Sequence, residues 1–113
     1  MPRDDSILLD INHAARLALA FSEGYTRDEF LEDLKTQSAV IHQLLVIGEA
    51  TRRLSDEFRA AHPEIPWRYI SGMRDHLVHG YDVVDLDEVW NVLKRDLPDL
   101  LNKITPLMPD QPG

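Results

Sequence analysis

Five side chains with acid–base, anion-binding or nucleophilic chemistry fall within eight residues of the stretch "GMRDHLVHGYD": Arg74, Asp75, His76, His79 and Tyr81. A guanidinium can hold two phosphate oxygens at once, and an imidazole can move a proton near neutral pH. An arginine with a histidine therefore suits phosphodiester cleavage. The plainer explanation is a helix C-terminus carrying basic side chains, which complements the helix dipole. Spacing alone does not choose between the two. On a helix, residues five apart such as Arg74 and His79 point about 140° away from each other. To act together they need the helix to fray at Gly80, or a second subunit. Arg74 and Tyr81, seven apart, nearly eclipse if the helix runs on. His76 and His79, three apart, diverge by about 60° and could ligate a metal with Asp75 or Asp82. The helical zinc pattern instead places histidines four apart around a glutamate, so no metal or other cofactor is expected.

The elements that must position these groups read as helices throughout, because glycine is scarce and β-branched alternation is absent. A first helix spans about Asp4 to Ser22, with Ile7, Ile11, Ala14, Ala18 and Phe21 forming one apolar stripe. Gly24 breaks it. Thr26 opens the next with the capping box "TRDE". That helix is expected to continue, with a kink, through "SAVIHQLLVIGEATRRLSDEFRAA", where Ile41, Leu44, Ile47, Thr51, Leu54 and Phe58 form a heptad-like seam. Gly48 inside it costs ~1 kcal/mol relative to alanine and implies close approach of another backbone. "HPEIP" is a break, and Pro66 starts a helix that Gly80 caps. Asp85 opens the last helix with "DLDE", and Pro98 kinks or restarts it. From about residue 106 the chain reads as a frayed tail. The expected fold is all-α, an antiparallel bundle of four to five helices forming one domain over 1–113.

Of the other polar groups, Glu49 with Arg52 and Arg53 reads as a solvated helix-face set. His13 and His42 read as packing or surface residues, and Trp67 and Trp90 as core. With no cysteine among 113 residues, disulfides and thiolate metal sites are excluded. No apolar run reaches the ~20 residues of a membrane span, and the acidic N-terminus does not suit a signal peptide; a cytoplasmic protein is expected. Net charge is −8, which opposes broad binding to nucleic acid. The charge is uneven, however. Residues 51–80 carry five arginines against four acidic side chains and hold three of the five histidines. Any anion-binding surface belongs there and is local.

"RDHLVHGY" resembles the R-x4-H-x-Y signature of HepT-like toxins, a branch of the HEPN ribonuclease superfamily. Arg74, His79 and Tyr81 match its fixed positions, and Asp75 matches the polar residue that follows the arginine. The flanks "VIGEATRRLSDEFRAAHPEIPW" and "VDLDEVWNVLKRDLPDL" are similar as well, so the resemblance covers about Ile7 to Ile104. It implies a homodimeric helical bundle that cleaves RNA (tRNA or mRNA) without a metal, as the toxin of a toxin–antitoxin pair. Cleavage would leave 2′,3′-cyclic phosphate and 5′-hydroxyl ends. Arg74, His79 and Asp75 become the catalytic set, and His76, outside the signature, faces substrate or supports the set from behind. The implied partner is a minimal nucleotidyltransferase antitoxin that transfers AMP from ATP to Tyr81. An alternative within the same resemblance is a helical binding module for that nucleotidyltransferase with little nuclease activity of its own.

Overall fold

A computed structural model describes residues 3–80 and 83–109. It begins with two helices that pack along one another, α1 (Arg3–Phe21) and α3 (Leu34–Arg52). A short α2 (Arg27–Glu32) lies between them in the chain. Hydrogen bonds at both ends make the pair antiparallel. At one end the Asp4 carboxylate accepts from the Ser55 amide at 2.8 Å and from its hydroxyl at 2.7 Å. At the other, the Tyr25 hydroxyl donates to Asp33 at 2.8 Å and accepts from Thr36 at 3.0 Å. Between these ties Leu8, Ile11, Ala15 and Ala18 of α1 meet Val40, Leu44 and Ile47 of α3, all buried.

The Thr26 capping box is present in full. The expected long helix from Thr26 to Ala61, however, is three separate helices. Asp33 stops α2 with extended backbone and at once caps α3 by accepting from the Thr36 amide. That bond, then the one from Tyr25, holds the Asp33 carboxyl below the usual range. Ser55 then caps α4 (Asp56–Ala61) through the Phe58 amide. Capping side chains thus override the apolar periodicity that runs across both breaks.

Beyond the "HPEIP" break come α5 (Trp67–Ser71) and α6 (Met73–Leu77), in place of one helix ending at Gly80. Both pack on α3. Gly48 permits this, because a Cβ there would stand 3.3 Å from the Ile70 carbonyl oxygen and 3.7 Å from that of Ser71. The expected close backbone approach is therefore found.

The chain then leaves helical geometry for a small antiparallel hairpin, β1 (Val78–His79) with β2 (Val83–Val84), pairing Val78 with Val84 and His79 with Val83. An all-helical reading missed it because three valines separated by a turn give no periodic signal. Gly80 serves this turn, with a φ of 73°, rather than a helix end.

Asp85 caps α7 (Leu86–Asn91) through the Glu88 amide. A single π-helical turn, Val92–Asp96, joins α7 to α8 (Leu97–Ile104). The Leu97 amide reaches back five residues to the Val92 carbonyl. Pro98 supplies the reason for the wide turn. Its ring would collide with the carbonyl four residues back, to which it has no N–H to donate. Leu93, Leu97 and Ile104 complete the core. Thr105–Leu107 forms a 3₁₀ turn, and Leu107 and Met108 pack against the core rather than fraying.

Two variants test this frame. Asp4→Ala should cost about 1–2 kcal/mol at neutral pH, kept modest by solvent screening of the carboxylate. Hydrogen bonds from Ser55 hold the Asp4 carboxyl below its ordinary value. Its contribution is therefore full above about pH 4 and is lost as pH falls through the lowered folded value. Thermal melts of both proteins should accordingly converge in acid. Gly48→Val should destabilise by about 1–3 kcal/mol in denaturant titrations, since it forces α5 off α3.

Candidate functional site

Arg74, Asp75 and His76 occupy α6 and His79 occupies β1, all exposed. The change from helix to strand after Leu77 means that the helical 140° separation of Arg74 and His79 does not apply. Two different backbone geometries carry the two residues, and they sit on either side of that junction. Among the described residues, the side chains of Arg74, Asp75 and His79 make no hydrogen bond or ion pair within the chain. Tyr81, the expected modification site, and Asp82 lie outside the described residues.

Arg74 edges a depression of about 270 Å³ with Leu45, Gly48 and Glu49 of α3 and Ser71 of α5. Its depth follows from Gly48, which draws the α5–α6 junction down onto α3. On the same rim, Arg52 donates from Nε to the Ser71 carbonyl at 3.0 Å and from a terminal nitrogen to Glu49 at 3.3 Å. Arg52 and Glu49 thus form the expected helix-face pair, and Arg52 additionally ties α3 to α5.

His76 is not in contact with a metal-ligand set. No group of three His, Asp or Glu residues stands close enough to hold a metal ion among the described residues. His76 instead stacks on Tyr69 of α5, with ring centroids 4.8 Å apart and planes 28° from parallel. The Tyr69 hydroxyl donates to Asp96 at 2.9 Å and lies 3.3 Å from Glu88. Burial, followed by hydrogen bonding to Asp96 and the charges of Asp96 and Glu88, pushes the Tyr69 hydroxyl well above its ordinary pKa. It stays a protonated donor, and it connects the π-helical turn to α6 through the His76 ring. Sequence reading did not single out Tyr69. The seven-residue spacing to His76 would place the two on one face of a continuous helix, but here they sit on separate helices, α5 and α6, and meet across the break at Gly72. Glu88 of α7 and Asp96 of the π-helical turn lie far along the chain and gave no such signal.

His13 and His42 are exposed, in keeping with a surface reading, and line one open groove of about 460 Å³ between α1 and α3 with Asp10 and Arg53. Trp67 is buried, whereas Trp90 is half-buried against Phe30 with the Lys94 ammonium over its ring.

The predominantly helical fold is consistent with the family that the comparisons give. Residues 11–107 match the family described as Ribonuclease HepT-like. A protein of Thermococcus cleftensis named "Probable ribonuclease HepT" is 43% identical over 100 residues, which is 88% of this chain and 91% of that one. "Putative RNase MJ0127" of Methanocaldococcus jannaschii is 35% identical over 115 residues, covering 100% of this chain and 95% of the relative. No solved structure matches. The chain belongs to the HepT-like family of the HEPN superfamily.

Tyr69→Phe should lower stability by about 1–3 kcal/mol in denaturant titrations, because the half-buried Asp96 loses its neutral donor. The His76–ring stack should survive, so the aromatic near-ultraviolet signal should change less than it does in Tyr69→Leu.

Proposed function

We propose that this protein is a metal-independent endoribonuclease, the toxin of a toxin–antitoxin pair, acting as a homodimer. The observation that carries this reading is a pair of exposed side chains, Arg74 and His79, both free of partners among the described residues. They flank the helix–strand junction of a chain in a ribonuclease family. Buried or salt-bridged groups would suggest structural roles; these are available to a ligand.

In the proposed reaction, the RNA 2′-hydroxyl attacks the adjacent phosphorus while His79 takes its proton. The bond from phosphorus to the 5′-oxygen breaks. That oxygen receives a proton from His79 of the partner subunit, leaving a 2′,3′-cyclic phosphate and a 5′-hydroxyl. Arg74 binds the phosphate and stabilises the charge that grows on it. Asp75, next to Arg74 in α6 and unpaired among the described residues of the single chain, would orient Arg74 or His79 once the dimeric site holds substrate. A two-fold axis is needed because one subunit offers a single motif histidine for two proton transfers.

Control would act through Tyr81. A minimal nucleotidyltransferase antitoxin directs the tyrosine oxygen to the α-phosphorus of ATP, forming a phosphodiester to AMP and releasing pyrophosphate. The added negative charge and bulk would then compete with the substrate phosphate.

The test is cleavage of total cellular RNA by protein whose intact mass shows an unmodified chain, in EDTA. Activity is expected with cyclic phosphate ends, falling at least 100-fold in Arg74→Ala and in His79→Ala, with helical circular dichroism retained. Unmodified wild type that leaves every RNA intact would overturn the nuclease reading in favour of a binding module whose motif serves as a modification site.

A further inference from the structure

The Arg74 depression does not stand alone. Ser71 forms part of its wall and also part of a second depression of about 440 Å³, lined by Asp56, Arg59, Ala60, Trp67 and Arg68. Arg52 lies at the shared wall, its Nε on the Ser71 carbonyl. Four of the five arginines in residues 51–80 thus gather around one serine, in a chain whose net charge is −8.

Their partners decide which of them are available. Arg59 is paired with Asp56, and Arg52 with Glu49. Among the described residues, Arg68 has no hydrogen-bond acceptor or carboxylate for its guanidinium, the same condition as Arg74. The two carboxylates that line the depressions, Glu49 and Asp56, are thus each paired, and the two uncommitted cations, Arg68 and Arg74, sit in adjoining depressions. A structural role does not account for Arg68. It is exposed on a five-residue helix, and its carbonyl, not its side chain, makes the local hydrogen bond with Ser71.

We propose that the Arg68 depression binds a backbone phosphate of single-stranded RNA flanking the one held by Arg74. The bound strand would run from the motif across Ser71 toward Arg59. The inference rests on the ribonuclease reading for its choice of ligand, but its geometry is independent of His79. Guanidinium groups fit phosphate oxygens and such contacts carry no base information, so the contact adds affinity and register without sequence preference. Arg59 contributes field to the site while Asp56 keeps it in place.

The experiment uses the full chain with His79→Ala, so that the RNA stays intact. Fluorescence anisotropy measures binding of a labelled oligoribonucleotide of about a dozen nucleotides across a salt series, in two unrelated base sequences. A site of this kind loses ~0.7 from the slope of log affinity against log salt for each single-strand phosphate released. Adding Arg68→Gln should lower the slope by about that amount and weaken binding severalfold, equally for both sequences. Arg68→Glu should weaken it further. Lys35→Gln, at the opposite end of α3, should do neither. Equal slopes for Arg68→Gln and Lys35→Gln, or no binding at all, would overturn the proposal.

Cleavage by the chain with His79 intact separates the two readings. RNA cut normally, with the salt slope of Arg68→Gln unchanged, removes the flanking site and leaves the nuclease. Arg68-dependent binding by a protein that cuts nothing removes the nuclease and leaves the site.

Discussion

Gly48 is the position on which the arrangement of the motif depends. It lies inside α3, toward its C-terminal end, where a glycine costs ~1 kcal/mol of helix stability relative to alanine. In return, the carbonyl oxygens of Ile70 and Ser71 approach to within van der Waals contact of its missing Cβ. That approach lets Ile70 and Met73 bury themselves on the α3 side of the core, at roughly 1.5–3 kcal/mol per fully buried side chain. The burial outweighs the glycine. It also fixes everything that follows in the chain. Ser71 comes within reach of Arg52, Arg74 is set on the rim above Glu49, and α6 starts from a defined point.

The C-terminal half holds the other side of the motif. Pro98 forces a widened turn into the last long helix, and the residue at the end of that turn, Asp96, takes the Tyr69 hydroxyl. Tyr69 in turn supports the His76 ring. A proline that a sequence reader sees only as an interruption is thereby linked through three side chains to the exposed face of α6. The hairpin closes the arrangement. The Asp85 amide donates to the Leu77 carbonyl at 2.8 Å, so the last carbonyl of α6 is satisfied by the residue that caps α7.

Sequence patterns revealed the helical class, the Thr26 capping box, the break at "HPEIP" and the close approach at Gly48, because each has a local physical cause. They missed the breaks at Asp33 and Ser55. There the apolar stripe continues in register while capping side chains end the helices. They also missed the end of α6. "MRDHLVH" has no helix breaker before Gly80, and Val78 turns extended only because Val84 pairs with it from beyond the turn. The candidate site was legible as residue types at Arg74 and His79, yet its geometry was not. The angular separation calculated for one continuous helix applied to a helix that is not there. Arg68 gave no sequence signal beyond its charge, since what marks it is the lack of a partner in three dimensions.

The acidic total and a local cationic path are compatible because they act over different distances. The molecule extends 42 × 35 × 21 Å, several times the Debye length of about 8 Å at physiological ionic strength. Carboxylates on the far face are screened from a phosphate seated at Ser71. The carboxylates that line the two depressions are Glu49 and Asp56, and each is engaged by its own arginine. The engagement has a second effect: it holds Arg52 and Arg59 in fixed positions without leaving either as an attractive site elsewhere on the surface. The two uncommitted guanidinium groups then define where a polyanion can rest. An acidic exterior suppresses indiscriminate polyanion binding by the rest of the chain, so on the proposed reading contact with RNA would be confined to the segment that carries Arg74 and His79.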